Sequence, residues 1–190
     1  MKAIPFLAAL IAIVLCSACS FQKNLTNPNP LTSGNLTTLN GKYDIVSLEN
    51  VSSPKPHRLG ENFLQEIDRK LLKDTLAFDS TKKYGFELQV LTGKRLKINY
   101  LEDGKVARER ILKTKLKSDG YLYLKNKNVG FVIVPYVFGA LDVKKTRLTK
   151  TATGDLVFDV TNHVSGAIML IGFLDGRTWK YRNVYPKTGI

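Results

Sequence analysis

The sequence is poor in the residues that most often mark a catalytic or metal centre. Its 190 residues include two cysteines and two histidines. The histidines, His57 and His163, lie in unrelated segments, and no cysteine is available to pair with either, so no metal or haem site is expected. No Gly-x-Ser-x-Gly, His-Glu-x-x-His or phosphate-binding glycine loop occurs. The sequence therefore predicts a protein that is not an enzyme and has no cofactor.

Both cysteines lie near the N terminus, within a segment that has the pattern of an export signal. Lys2 gives a positive start, residues 6–15 form an apolar run, and small residues precede Cys19. This pattern is typical of a bacterial lipoprotein, which is cleaved before a cysteine that then carries lipid. An uncleaved span is the alternative, but the run is shorter than the roughly 20 residues that a membrane requires. We predict a signal peptide over residues 1–18, which also removes Cys16 and leaves no partner for a disulfide.

The residues after Cys19 predict the cellular location of the protein and a flexible linker. Ser20 stands where an aspartate retains lipoproteins in the inner membrane of enteric bacteria. We therefore predict an outer-membrane protein that is anchored by lipid on Cys19, with the periplasmic or surface face left open. Residues 19–38 are rich in Asn, Thr, Ser and Pro, a composition that buries too little apolar surface to become ordered. The sequence predicts a flexible tether over residues 19–38 and one domain over residues 39–190.

The domain has the pattern of short strands separated by turn residues. Residues 84–91 and 95–101 alternate apolar and polar side chains, and Asp103-Gly104 has the chemistry of a tight hairpin turn. Similar segments continue to the C terminus. We predict a mainly β fold, either an antiparallel up-and-down barrel or a strongly curled meander of about 8–10 strands, because rolling up removes exposed edges.

One amphipathic helix is predicted within this pattern, inserted after the first strand. Asn62 is a candidate N-cap, and the apolar residues from Phe63 to Leu72 follow helical spacing, with charged residues on the other side. The sequence leaves two roles open for the helix. It is either a packed connection that covers the core, or a lid or plug against the barrel.

The two ends of the domain resemble a known superfamily. Gly41-Lys42-Tyr43 resembles the Gly-x-Trp that opens the first strand of lipocalins and fatty-acid-binding proteins. In those proteins a late arginine packs across this aromatic ring, a place that Arg177 or Arg182 could fill here. More loosely, the domain is similar to lipocalin-like, calycin-type domains on small outer-membrane lipoproteins of Bacteroidota. The resemblance implies carriage of a small apolar or amphipathic ligand, and it implies a set of barrel-closing residues, Gly41, Tyr43, Trp179 and Arg182.

The chain is strongly basic. It has 29 basic and 16 acidic residues, and removing Lys2 with the signal leaves a formal charge of +12. Lys113, Lys115 and Lys117 alternate with other residues, which places three ammonium groups on one face of a strand. Such a face could bind lipid phosphates or acidic polysaccharide, at about 1 kcal/mol for each basic residue. The alternative is a solvated strand whose lysines blunt a sheet edge.

Two functions are therefore expected for an envelope lipoprotein with this domain. The first is binding of a small apolar or amphipathic ligand inside the barrel. The alternative is a structural or assembly role, in which the basic face docks on an envelope protein complex or an anionic surface. Nucleic acid is not an expected partner, because the chain is exported and lacks interleaved stacking aromatics.

Overall fold

The alternating segments of the sequence form a single antiparallel sheet. The computed structural model describes residues 21, 25–51, 63–67, 79, 81–134, 138–168 and 172–188. These residues contain a 3-10 helix (Leu36–Leu39), one short α-helix, α1 (Phe63–Ile67), and ten strands: β1 (Gly41–Asp44), β2 (Glu49–Val51), β3 (Tyr84–Thr92), β4 (Arg95–Glu102), β5 (Lys105–Leu116), β6 (Leu122–Val134), β7 (Phe138–Lys150), β8 (Leu156–Ile168), β9 (Gly172–Tyr185) and β10 (Lys187–Thr188).

The order of strands in the sheet is β10-β1-β3-β4-β5-β6-β7-β8-β9-β2. From β3 to β9, each strand lies antiparallel to the next one along the chain, as short connections require. Asp103 and Gly104 join β4 to β5 with φ angles of 49° and 77°. Two successive positive φ angles define the turn that matches the twist of a hairpin, so the predicted Asp-Gly turn is confirmed.

The sheet is not closed, so the barrel that was one of the two predicted arrangements is not formed. In the strand order, β10 and β2 are the two edge strands; β10 pairs with β1 and β2 pairs with β9, and no ladder joins β10 to β2 in the described residues. The sheet nevertheless curves so far that β3 and β9 meet across its inner face. The rings of Phe86 on β3 and Tyr185 on β9 have centroids 5.6 Å apart.

The inner face is filled by aromatic side chains around α1. Phe63 has no exposed surface, and its ring stacks on Phe86 with centroids 3.6 Å apart and planes within 5°. The same ring makes edge contacts with Phe158 and Tyr185. Helix α1 has five residues, fewer than the helix predicted from Asn62 to Lys73, and the rest of that segment lies outside the described residues. The full amphipathic helix therefore stays a prediction.

Residues 25–38 differ from the flexible tether that the sequence predicted. Leu31 and Leu36 are buried, and the Leu31 N–H donates a hydrogen bond to the Gly120 carbonyl at 2.8 Å. Although the average composition of the segment is polar, Leu31 and Leu36 are placed where they join the hydrophobic core. We call residues 25–31 the N-terminal strap. The predicted signal peptide and the predicted lipidation site, Cys19, lie outside the described residues.

Candidate functional site

The lysines at the end of β5 project from the outer face of the sheet. Leu112 and Thr114 are buried. Lys113, which lies between them, and Lys115, which follows Thr114, are exposed. This alternation follows from strand geometry, in which successive side chains point to opposite faces. Lys117, one residue past the end of β5, is also exposed. The structure thus places the three predicted lysines on one face.

A cleft of about 750 Å³ lies between these lysines and the start of the strap; we call it the strap cleft. The Lys117 ammonium lies 3.7 Å from the centre of the Tyr123 ring, a cation–π contact. The Tyr123 hydroxyl donates to an Asp119 carboxylate oxygen at 2.5 Å. Burial and this hydrogen bond raise the pKa of Tyr123, so the phenol stays neutral beside the lysines.

A second cleft, of about 720 Å³, lies beside the β3–β4 turn; we call it the turn cleft. It shares Lys115 and Lys125 with the strap cleft, and among the described residues no carboxylate lines it. In the part of the chain that the structure describes, Asp119 is the one carboxylate that lines the strap cleft. Within the described residues, none of the turn-cleft cations forms an ion pair. We define the basic face as the six exposed cationic side chains that line one or both clefts and form no ion pair in the described residues: Lys94, Arg95, Lys113, Lys115, Lys117 and Lys125.

Next to the basic face, the strap covers a buried cluster of ion pairs. Arg147, Asp159 and Arg182 lie opposite one another on β7, β8 and β9. Asp159 has no exposed surface and accepts hydrogen bonds from Arg147 Nε at 2.9 Å and Arg182 Nε at 2.7 Å. Burial disfavours the charge on Arg182, but the hydrogen bonds and charge of Asp159 outweigh burial and raise the pKa of Arg182. The Arg182 guanidinium therefore remains charged, and its hydrogen bonds to Asp159 fix its position.

This cluster and its surroundings hold the strap to the outer face. Arg182 Nη2 donates to the Thr26 carbonyl at 3.1 Å, and the Thr149 hydroxyl donates to the Asn29 carbonyl at 2.7 Å. Gly120 has a φ of +72°, and a Cβ added there would approach Pro30 Cβ to 2.7 Å. Only glycine therefore combines this backbone conformation with close contact to the strap.

Phe21 lies at the border of the basic face. The Arg147 guanidinium is 4.4 Å from the centre of the Phe21 ring, and the Tyr123 and Phe21 rings have centroids 5.5 Å apart. Cys19 precedes Phe21 by two residues. Covalent geometry limits the distance between their Cα atoms to about 7 Å. A lipid on Cys19 would therefore begin next to the basic face.

A second polar cluster lies on the inner face. Glu66 of α1 has no exposed surface and accepts hydrogen bonds at Oε2 from Lys144 Nζ and the Tyr181 hydroxyl, both at 2.7 Å. Its other oxygen, Oε1, has no hydrogen-bond partner in the described chain. Burial and then the charge of Glu66 raise the pKa of Tyr185 well above its ordinary value. Helix α1 thus brings a carboxylate as well as apolar side chains into the core.

The predicted barrel-closing residues are not brought together. Tyr43 is buried, with its hydroxyl donating to the Leu39 carbonyl at 2.9 Å, and its ring stacks on Phe86 instead of an arginine. Arg182 lies with Asp159 on the outer face, because it occupies the opposite side of β9 from the core residue Tyr181. The other two predicted barrel-closing residues lie on different strands. Gly41 is the first residue of β1, and Trp179 on β9 is half-buried against the core.

Sequence reasoning missed the two buried carboxylates, Asp159 and Glu66. Asp159 stands between two core residues, Phe158 and Val160, so strand alternation places it on the outer face. That signal was available, but its two arginine partners depend on a strand register that the sequence does not reveal. Glu66 was assigned to the polar side of the predicted helix.

No family model matches this chain, and no curated protein or solved structure matches it either. In the described part of the chain, no helix is long and apolar enough to cross a membrane. The same residues contain no group of three or more His, Cys, Asp or Glu side chains that could hold a metal ion. The site must therefore be interpreted from its own geometry, as a basic face next to a fixed N-terminal strap.

Proposed function

We propose that this protein is a lipid-anchored envelope lipoprotein that docks its basic face on an anionic membrane surface. The observation that carries the proposal is the composition of the two clefts. Within the described residues, one carboxylate, Asp119, lines them, and the six cations of the basic face form no ion pair. Cations without carboxylate partners remain available to phosphate groups, and each contributes about 1 kcal/mol near an anionic surface. Several together would bind strongly at low salt and weakly at high salt.

The strap supports this proposal because it fixes the chain that follows the predicted lipid anchor beside the basic face. A flexible tether of about 20 residues would let the domain lie roughly 25 Å from its lipid in any orientation. Instead, the strap is hydrogen-bonded to β7 and β9, and Phe21 lies beside the strap cleft. Lipid on Cys19 would then hold the basic face towards the headgroups of the outer membrane.

The test is binding of the unlipidated chain from Ser20 onwards to vesicles of phosphatidylcholine with or without phosphatidylglycerol. We expect salt-dependent binding to the anionic vesicles only. Changing Lys94, Lys113, Lys115 and Lys125 to Gln together should weaken binding about 1,000-fold, since about 4 kcal/mol is lost.

A matched variant separates the basic face from net charge. Lys42, Lys83, Lys105 and Lys187 are exposed and line neither cleft. Changing these four to Gln removes the same charge and should weaken binding less than about tenfold. Equal losses in both variants would show that net charge alone attracts the chain, and absent binding of the original chain at low salt would refute the proposal.

Ligand carriage in a lipocalin-like interior is the second candidate function. The consecutive antiparallel order from β3 to β9 and the buried Tyr43 support this resemblance. The specific observation in its favour is that Glu66 Oε1 and the Tyr100 hydroxyl are buried without a hydrogen-bond partner in the described chain. Buried polar atoms nearly always have partners, and the polar end of a ligand would supply them. The rings of Phe63, Phe86 and Tyr185 already fill the interior between β3 and β9, so a ligand would have to bind in another part of the interior.

Native mass spectrometry of the chain from Phe21 onwards tests this second function. Protein purified gently from a periplasmic preparation should retain an added mass that disappears on denaturation. Glu66→Gln should reduce the fraction that carries the added mass, whereas the exposed substitution Glu109→Gln should not. A mass equal to that of the chain alone in every preparation would count against carriage.

A further inference from the structure

The sheet separates between β5 and β6. Strand β5 pairs with β4 at eight positions between Lys105 and Lys113. It pairs with β6 at only three, where residues 114–116 lie opposite residues 122–124. Beyond Leu124, β6 continues beside β7. Residues 105–113 therefore have β4 on one side and, within the described chain, no strand on the other.

The hydrogen-bond pattern identifies which backbone groups point into this gap. The Thr114 N–H donates to the Lys94 carbonyl, on the β4 side, at 2.8 Å. In an antiparallel pair, alternate residues direct their N–H and C=O groups to opposite sides. Residues 108, 110 and 112 therefore bond to β4. The N–H and C=O groups of Glu109, Ile111 and Lys113 point away from it, and we call these three residues the open edge.

The side chains of the open edge are apolar at the centre, and one cation, Lys113, is left without an ion pair in the described residues. Ile111 is a large apolar residue that is 47% exposed. Glu109 is neutralised by Lys97, whose ammonium lies 2.6 Å away. Lys113 forms no ion pair within the described residues. Exposed edges usually bind further strands unless charge or distortion prevents it, and the uncompensated charge here attracts carboxylates.

We propose that the open edge binds an extended, acidic segment of a partner polypeptide as an additional strand. Backbone hydrogen bonds to Glu109, Ile111 and Lys113 would supply affinity, as in other cases of strand addition. An apolar side chain of the partner would pack on Ile111, and a carboxylate would approach Lys113. A second copy of this chain is a poor occupant, because each copy carries a formal charge of +13. The proposal does not require membrane docking, although Lys113 belongs to both the basic face and the open edge.

Amide hydrogen exchange on the full chain in zwitterionic micelles tests the open edge directly. Without a partner, the amides of Glu109, Ile111 and Lys113 should exchange at least about 100-fold faster than those of residues 108, 110 and 112. A synthetic ten-residue peptide that alternates Val and Glu should slow the first three amides at least about tenfold. A peptide that alternates Val and Lys should not slow them.

Two substitutions at one position separate backbone pairing from side-chain contact. Ile111→Pro removes an N–H that points away from β4, so the β4 ladder stays intact and strand addition is lost. Ile111→Thr keeps that N–H and should weaken peptide binding by less than about tenfold. If the proline variant does not fold, N-methylation of alternate peptide residues gives the same test, and it should abolish binding.

Three results would overturn the proposal. The first is slow exchange of the open-edge amides in the free chain, which would show that the chain itself covers the edge. The second is equal protection by the acidic and the basic peptide, which would remove the charge argument. The third is peptide binding that survives both Ile111→Pro and N-methylation, because the contact would then not involve an added strand.

Discussion

Two groups of cations lie side by side on the outer face of this sheet, and they differ in how their charge is compensated. Arg147 and Arg182 share Asp159, which is fully buried under the N-terminal strap. Lys113 and Lys115 lie two strands away, are exposed, and have no carboxylate partner in the described residues. The compensated cations hold the strap in place, whereas the uncompensated ones are available to another molecule.

The comparison has a physical basis in burial. A buried charge must be paired, because its loss of hydration costs several kcal/mol. An exposed lysine keeps its hydration and therefore needs no partner for the fold to be stable. Stability should thus depend on the buried cluster, and binding of anions should depend on the basic face.

The largest effect is expected from Asp159→Asn. This change keeps the shape of the side chain but leaves two guanidinium groups beside a neutral amide. Breaking a buried pair in this way should lower the free energy of unfolding by about 3–5 kcal/mol. Urea denaturation followed by tryptophan fluorescence would measure the loss.

Asp119→Asn is the matched control for this change. Asp119 lies 3.8 Å from Arg147, but its side chain is 40% exposed. An exposed pair contributes at most about 1 kcal/mol, so this variant should remain close to the original stability. If Asp159→Asn costs no more than Asp119→Asn, the cluster does not have the structural role given to it here.

A smaller effect is expected from Thr149→Val, which tests the strap and not the cluster. Thr149 is fully buried, and its hydroxyl donates to the Asn29 carbonyl. Valine has nearly the same shape but cannot donate, so the free energy of unfolding should decrease by about 1–2 kcal/mol. The Leu31 amide should also exchange faster, since its bond to Gly120 holds the same strap.

Thr32→Val provides the control for the strap. Thr32 is exposed, and its hydroxyl forms no hydrogen bond in the described chain. The change should alter stability by less than about 0.5 kcal/mol. Unchanged Leu31 exchange in Thr149→Val would show that the strap is held by other contacts.

The contrast between the two groups also shows how far the sequence alone could predict this molecule. Lys113, Lys115 and the Asp103-Gly104 turn depend on neighbours within a few residues, and the structure confirms their placement. The pairing of Asp159 with Arg147 and Arg182 depends on residues 12 and 23 positions away in the chain. Such pairings depend on strand register, which local patterns do not determine.

The strap and the open edge were missed for different reasons. Residues 25–38 were predicted to be a tether because composition averages over the segment, whereas burial depends on where single leucines such as Leu31 and Leu36 lie. The open edge results from the separation of β5 and β6 after three paired positions. No turn residue marks that separation, because both strands continue beyond it.

A still smaller effect is expected for Asp155, a partly exposed carboxylate, than for the buried Asp159. Asp155 accepts hydrogen bonds from the Lys187 N–H at 3.0 Å and the Thr153 hydroxyl at 2.7 Å. The bond from Lys187, followed by that from Thr153, lowers the pKa of Asp155 below 3.8. A lowered pKa stabilises the fold above the unfolded value, and this contribution is lost as the pH falls through the folded value.

The measurement is the stability of the original chain and of Asp155→Asn between pH 5 and pH 2. The original chain should lose slightly more stability on acidification, by less than about 1 kcal/mol, because solvent screens a partly exposed group. Identical acid profiles would show that Asp155 does not stabilise the turn that precedes β8.

The smallest effect on stability is expected from removing charge from the basic face. Changing Lys113 and Lys115 to Gln relieves repulsion between neighbouring ammonium groups and breaks no ion pair in the described residues. The free energy of unfolding should therefore change by less than about 0.5 kcal/mol, or rise slightly at low salt. The same variant should bind phosphatidylglycerol vesicles about 30-fold more weakly, since two contacts of about 1 kcal/mol each are lost. A loss of stability as large as that of Asp159→Asn would contradict the distinction between a buried cluster that stabilises the fold and a basic face that binds anions. The lysines would then stabilise the fold as the buried arginines do.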